Sequence, residues 1–130
     1  MISIPLGFLL FLAITLAFLG AVVYTGFKAR RRQHIPLVIC AVISLGITIY
    51  YAEQLGTLYD LESSGRIYPI HLFLAKTTTA CYLLPVIFGV LTIRDRKWLK
   101  LHRKVAFFVL LMTVLTAATG SAMVYLSDKL

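Results

Sequence analysis

The chain has 130 residues, of which 60% are hydrophobic and 14% charged, and its mean hydropathy is +0.90. Soluble domains carry about 45–50% apolar and about 25% charged residues, so these values exclude a water-soluble globular fold and indicate a protein surrounded by lipid. The length also excludes large multidomain enzymes, and a net charge of +8 raises the question of nucleic acid or anionic lipid as a partner.

Four apolar stretches follow one another along the chain, at residues 4–27, 35–52, 70–93 and 105–126. Each is long enough, at about 1.5 Å per helical residue, to cross a hydrocarbon core of about 30 Å. Backbone amides in lipid have no water to bond, and the alternating polarity of barrel strands is absent from the sequence, so the stretches are predicted to be helices. The sequence therefore predicts an all-α fold, a four-transmembrane-helix up-down bundle that forms a single integral membrane domain.

The positions of the basic residues predict the orientation of these helices. Ten of the thirteen Lys and Arg fall in two short turns, as Lys28, Arg30, Arg31, Arg32, Arg94, Arg96, Lys97, Lys100, Arg103 and Lys104. Basic turns remain in the cytoplasm, which predicts an N-out and C-out protein. No basic residue precedes the first stretch, so it is interpreted as a span and not as a signal peptide. No basic surface with interleaved aromatics lies elsewhere, so nucleic-acid binding is not expected.

Small and hydroxyl side chains within the stretches predict where helices pack together. Four glycines, at least one of them in each stretch, could allow close approach of backbones: Gly20, Gly46, Gly89 and Gly120. The hydroxyls of Ser44, Thr116 and Thr119 are predicted to bond across helices. Pro85 removes one backbone donor, which predicts a kink around residues 81–85.

The two cysteines, Cys40 and Cys81, lie in separate stretches at different predicted depths and do not form a disulfide framework. Free thiols are the simpler interpretation. An alternative is a Cu(I) site that adds Met112 or Met123, because thiolate and thioether ligands suit that ion. No CxxC motif or Met-rich run accompanies them.

The three histidines, His34, His71 and His102, all lie at ends of the stretches. Stretches two and four run in the same direction, so His34 and His102 are predicted at a similar depth on the cytoplasmic side, with His71 on the outer side. Paired imidazoles from diagonally opposed helices could hold haem b, with Arg32 and Arg103 near its propionates, and neutral imidazoles could hold copper. The alternative is that all three are interfacial residues without a ligand.

Lys76 is the one strong base inside a stretch, where a charge is costly unless it is paired or snorkels to the interface. Glu53, Asp60 and Glu62 are the predicted anions on the same side. Snorkelling is one interpretation. The other is a ligand role, such as holding a lipid headgroup, a quinone oxygen or a haem propionate.

The order of these features resembles the domain-of-unknown-function 420 family. The segments that carry the resemblance are Arg-Arg-Gln-His34, Gly56-Thr57, Ile70-His71-Leu-Phe-Leu-Ala75, Leu101-His102-Arg103-Lys104 and Thr116-Ala-Ala-Thr119-Gly120 before Tyr125. The resemblance covers residues 20–126. Its members are small four-helix membrane proteins linked to assembly of haem-copper cytochrome oxidases, which implies handling of a metal or haem at His34, His71 and His102.

Three hypotheses for the function follow. The first is an accessory or assembly protein of a haem-copper oxidase or related electron-transfer complex, which is not an enzyme on its own and has membrane lipid and other membrane subunits as partners. The second is a small b-type cytochrome that transfers electrons itself. The third is a structural subunit of a respiratory or photosynthetic complex that binds lipid or pigment. For all three the expected location is the prokaryotic cytoplasmic membrane.

Overall fold

The computed structural model describes residues 2–130, and this part of the chain is predominantly helical. The α-helices are α1 (Ile4–Phe27), α2 (Arg31–Leu55), α3 (Ile67–Cys81), α4 (Leu83–Arg94) and α5 (Leu99–Leu126). Short 3₁₀ turns cover Leu61–Ser64 and Arg96–Trp98. The two-residue strands are β1 (Tyr59–Asp60) and β2 (Asp128–Lys129).

Four helical segments are long and apolar enough to cross a membrane: Ile4–Phe27, Arg31–Leu55, Ile67–Arg94 and Arg96–Leu126. The predicted all-α class with four membrane-spanning helices is therefore confirmed, and the protein is an integral membrane protein. Each segment contains one predicted apolar stretch. The helices α2 and α5 start before their apolar stretches because the basic residues of the turns continue the helix at the interface. Large apolar side chains such as Leu9 and Ile43 are each 60% exposed on the helix surfaces, as is expected of helices that lie in lipid.

The described chain divides into two compact units, one up to Tyr59 together with Leu130 and the other Asp60–Lys129. In the first unit α1 packs against α2. The helix α1 begins after Ser3, whose hydroxyl accepts a hydrogen bond from the Leu6 amide, and Pro5 fits its first turn. The turn to α2 passes through Ala29, which has a left-handed backbone with φ 54°.

A hydroxyl cluster joins α1 to α2. The Thr15 side chain is 1% exposed, and its Oγ1 lies 2.7 Å from Ser44 Oγ and 3.0 Å from Thr48 Oγ1. One helical turn away, the Tyr51 ring stacks on Phe11 with centroids 5.7 Å apart and covers Gly7. Polar bonds and small residues hold this pair together, since lipid gives no hydrophobic drive for helix association.

In the second unit α3 and α4 form one span that is interrupted at Tyr82, and α5 packs along both. Pro85 lies in the first turn of α4 and has no N–H to donate. The helix is thus interrupted within the predicted region 81–85. At this interruption the Tyr82 side chain packs against α5, and its hydroxyl lies 2.6 Å from Thr113 Oγ1.

Three successive hydrogen bonds connect α3 and Tyr82 to α5. Beyond Tyr82–Thr113, the Oγ1 atoms of Thr78 and Thr116 lie 2.9 Å apart, and His71 Nδ1 lies 3.0 Å from Thr119 Oγ1. The predicted cross-helix bonding of Thr116 and Thr119 is confirmed here, as is that of Ser44 in the first unit.

The glycines divide into two groups. A Cβ added at Gly20 or Gly46 would meet nothing within 4 Å, so the predicted close-packing role is wrong for these two. Their backbones lie on open helix faces. Gly89 and Gly120 do lie against a neighbouring side chain, and in both cases that side chain is a histidine.

Candidate imidazole sites

His34 lies in the first turn of α2 and is held by the end of α1. Its Nδ1 is 3.1 Å from Thr25 Oγ1 and 3.0 Å from the Val22 carbonyl oxygen. The Thr25 hydroxyl itself donates to the carbonyls of Ala21, at 2.9 Å, and Val22, at 3.2 Å. The imidazole thus meets two acceptors of α1 through a single nitrogen.

This arrangement determines which nitrogen of the neutral His34 ring carries the proton. A carbonyl oxygen only accepts, and the Thr25 hydroxyl uses its proton on its own helix. His34 Nδ1 is therefore the donor, and the lone pair of the neutral ring is on Nε2. Nε2 is the atom through which such a ring can bind iron or copper.

The same arrangement occurs in the second unit around His71. Its Nδ1 lies 3.0 Å from Thr119 Oγ1, and the Thr119 hydroxyl donates to the carbonyls of Leu115, at 2.9 Å, and Thr116, at 3.1 Å. The threonine hydroxyl is thus the acceptor that the His34 and His71 rings share. His71 therefore also carries its neutral-ring lone pair on Nε2.

A glycine lies under each of the three imidazoles. A Cβ added at Gly26 would be 3.3 Å from His34 Cε1, one at Gly120 would be 2.8 Å from His71 Cε1, and one at Gly89 would be 3.2 Å from His102 Cε1. Real Cβ atoms essentially never approach within 3.0 Å, so Gly120 in particular makes room for its histidine. For His34 and His71 the glycine directly follows the anchoring threonine.

His102 lies in the first turn of α5, half-buried against Gly89 of α4. His71 contacts the opposite end of α5, since Thr119 follows His102 by 17 residues, or about 26 Å along a helix. His71 and His102 therefore cannot ligate the same ion. His34 belongs to the first unit, whereas His71 and His102 belong to the second.

The remaining predicted site residues lie on exposed surfaces. Arg32 and Arg103 are exposed beside His34 and His102, as partners of an acidic group would be. Lys76 is exposed on α3 and takes part in none of the ion pairs of residues 2–130, so the predicted pairing with a carboxylate does not occur there. Snorkelling to the interface and a ligand role both remain as interpretations of Lys76.

Other ligand types do not gather in the described part of the chain. Cys40 and Cys81 are free thiols, as predicted. Residues 2–130 contain no group of three or more His, Cys, Asp or Glu placed to hold a metal ion.

Sequence reasoning found the histidines and missed most of what holds them. Thr25 and Gly26 were not predicted to matter, and Gly120 was assigned to helix packing. A signal was present, because the pair Thr-Gly occurs at 25–26 and again at 119–120. No family profile matches this sequence, and comparisons with curated proteins and with solved structures also return no match.

Proposed function

We propose that the chain is an accessory or assembly membrane protein of a haem-copper oxidase or a related electron-transfer complex, and that it holds haem b or copper through His34 and His102. The observation that carries this proposal is the anchoring of His34 Nδ1 by Thr25 and the Val22 carbonyl. Metal-ligating histidines almost always donate their other ring N–H to a carbonyl, carboxylate or water. His34 has that partner.

The residues fit the proposed cofactor in number and type. The imidazoles of His34 and His102 would hold haem, because histidine is a common protein ligand of haem iron. Arg103, which adjoins His102, and Arg32, two residues before His34, would supply guanidinium groups for bidentate recognition of propionates. When bound, haem supplies one-electron transfer. A copper ion would take a further ligand from a partner subunit or from the molecule that delivers the copper.

The protein's own contribution is to orient the ligand atom. Thr25 and Val22 fix the ring of His34 so that the metal meets a preformed Nε2 lone pair. The flat surface of Gly26 lets the ring lie close to α1. The exposed apolar helix faces suit docking of other membrane subunits, which is what an accessory protein requires.

Isolation of the chain in mild detergent tests the accessory role. Co-isolation of oxidase or related electron-transfer subunits, identified by mass spectrometry, would support the proposal. A matched control is the Arg66→Gln variant, which changes a base outside both basic turns and should retain the same partners. Isolation of the chain alone, at endogenous expression and with its cofactor content unchanged, would contradict an accessory role.

A small b-type cytochrome is the second candidate, and His71 favours it. The His71 anchor repeats the His34 anchor at the end of α5 opposite to His102. Imidazoles at both ends of a membrane-length helix suit electron transfer across the bilayer. This candidate predicts reduction of the purified protein's cofactor by a soluble donor without any partner subunit.

A further inference from the structure

The start of α5 concentrates positive charge where helix electrostatics disfavours it. Residues 94–104 contain one carboxylate, Asp95, and six bases: Arg94, Arg96, Lys97, Lys100, Arg103 and Lys104. The N-terminal end of a helix is itself positive, and the first turn of α5 has neither an acidic residue nor a side-chain cap. The surrounding charges therefore favour an anion at this end of α5.

Part of this region forms an open cleft of about 380 Å³. The lining residues are Lys97, Trp98, Lys100, Leu101 and Lys104. The spacing of the three lysines, three and then four residues apart, places them along one side of the helix start. The cleft therefore combines three ammonium groups with an aromatic and an aliphatic wall.

The indole of Trp98 is fixed in this cleft from two sides. It packs against the Phe88 ring of α4 with centroids 5.8 Å apart, and Lys97 Nζ lies 5.6 Å from the Trp98 centroid. Tryptophan at the end of a membrane helix marks the headgroup level of the bilayer. The cleft thus lies where phosphate groups of lipids lie.

Asp95 does not neutralise the cleft. Its Oδ2 lies 3.7 Å from Lys97 Nζ, but the two side chains are 54% and 68% exposed, and an exposed pair of this kind contributes little. Its Oδ1 accepts from the Lys97 amide and caps the 3₁₀ turn Arg96–Trp98. Asp95 is the one carboxylate of residues 94–104, so the positive charge of Lys100 and Lys104 is not neutralised within this segment.

We propose that this cleft binds the phosphate headgroup of an anionic phospholipid, with Lys97, Lys100 and Lys104 contacting the phosphate and Trp98 and Leu101 contacting the upper acyl chains. The charge and the apolar walls together match a lipid better than a soluble anion, which has no apolar part. The start of α2 offers a cleft lined by Arg30, Arg31, Arg32 and Gln33, but no aromatic or aliphatic residue is among these lining residues. We therefore assign the lipid to α5.

Trp98 is the single tryptophan of the chain, so its fluorescence reports on this cleft alone. The full chain is reconstituted in phosphatidylcholine bilayers with increasing fractions of brominated phosphatidylglycerol or of brominated phosphatidylcholine. Bromine quenches a nearby indole. The proposal predicts stronger quenching by the anionic lipid at equal low fractions, and equal quenching by the two lipids would overturn it.

Two variants are expected to change the preference for the anionic lipid in opposite directions. Lys100→Gln should weaken the preference for the anionic lipid about fivefold, since one base near an anionic membrane contributes about 1 kcal/mol. Asp95→Asn retains the turn cap and removes the competing charge, so it should strengthen the preference. Lys129→Gln, which removes a base outside the cleft, is the matched control and should change nothing.

Inorganic phosphate distinguishes the two sources of the anion. If added phosphate at millimolar concentration abolishes the selective quenching while general salt at the same ionic strength does not, the cleft binds a soluble anion and the lipid assignment is wrong. If neither changes the selectivity, the lipid assignment is supported. Circular dichroism of each variant checks that the helices are intact.

Discussion

His34 Nδ1 and Thr25 Oγ1 lie 3.1 Å apart, and His71 Nδ1 and Thr119 Oγ1 lie 3.0 Å apart in the other unit. In each pair the threonine hydroxyl donates to its own helix and so remains an acceptor for the ring. The same contact between a threonine hydroxyl and an imidazole Nδ1 therefore occurs once in each unit. Both copies present Nε2 as the lone-pair atom of a neutral histidine.

Thr25→Val removes the side-chain acceptor of the first anchor but keeps the Val22 carbonyl. We expect cofactor affinity to fall about 10–100-fold, as for other partners that orient a metal-ligating histidine. Nitrogen-15 NMR of labelled histidine should show a smaller fraction of the Nδ1–H tautomer at His34, because one of its two acceptors is lost. Thr25→Ser keeps the hydroxyl and serves as the control. An unchanged tautomer in the valine variant would show that the Val22 carbonyl alone fixes the ring.

Gly120→Ala places a Cβ 2.8 Å from His71 Cε1 and should destabilise the protein by about 1–3 kcal/mol, as overpacking does. Gly20→Ala is the matched control, because a Cβ there meets nothing within 4 Å. That change should be neutral or stabilise the protein by up to about 1 kcal/mol through helix propensity. Thermal unfolding in detergent measures both. Equal effects would mean that His71 does not lie against Gly120.

Thr15→Val breaks the hydroxyl cluster that joins α1 to α2. We expect a loss of about 1–2 kcal/mol, because Ser44 and Thr48 both lose a partner while interhelical bonds in membranes contribute about 0.6 kcal/mol each on average. The hydroxyl of Thr92 bonds only the Phe88 carbonyl of its own helix, so Thr92→Val is the control and should cost less. The two variants can be compared by unfolding in mixed micelles. A larger loss for Thr92→Val would contradict this assignment.

The orientation in the membrane remains a prediction from the basic turns. Single cysteines introduced between residues 53 and 69, in a background without Cys40 and Cys81, should react with an impermeant maleimide added from outside the cell. Cysteines placed in the basic turn at residues 28–33 should react only after permeabilisation. Labelling of 53–69 from the cytoplasmic side alone would reverse the predicted topology.

The helices followed from the sequence more completely than the site did. Apolar stretches near 4–27 and 105–126 specify helices because lipid leaves the backbone no other way to satisfy its amides. Pro85 likewise predicts where the third span is interrupted, because proline has no N–H to donate. The partner of each histidine could not be read in this way, because it depends on which residues of a neighbouring helix lie opposite. Thr119 was correctly placed at a helix contact, but only the fold shows that it meets His71. Gly46 shows the converse, because a glycine in a span need not lie at a contact.

The visible spectrum of the purified protein, before and after reduction, tests the proposed cofactor site most directly. The account predicts a reducible Soret band, or bound copper by elemental analysis, that disappears in His34→Ala and in His102→Ala while helical circular dichroism is retained. His71→Ala should keep this signal, because His71 contacts Thr119, which lies about 26 Å along α5 from His102. A protein isolated from its native membrane with neither haem nor copper, or one whose cofactor is unaffected by loss of His34, would contradict the account.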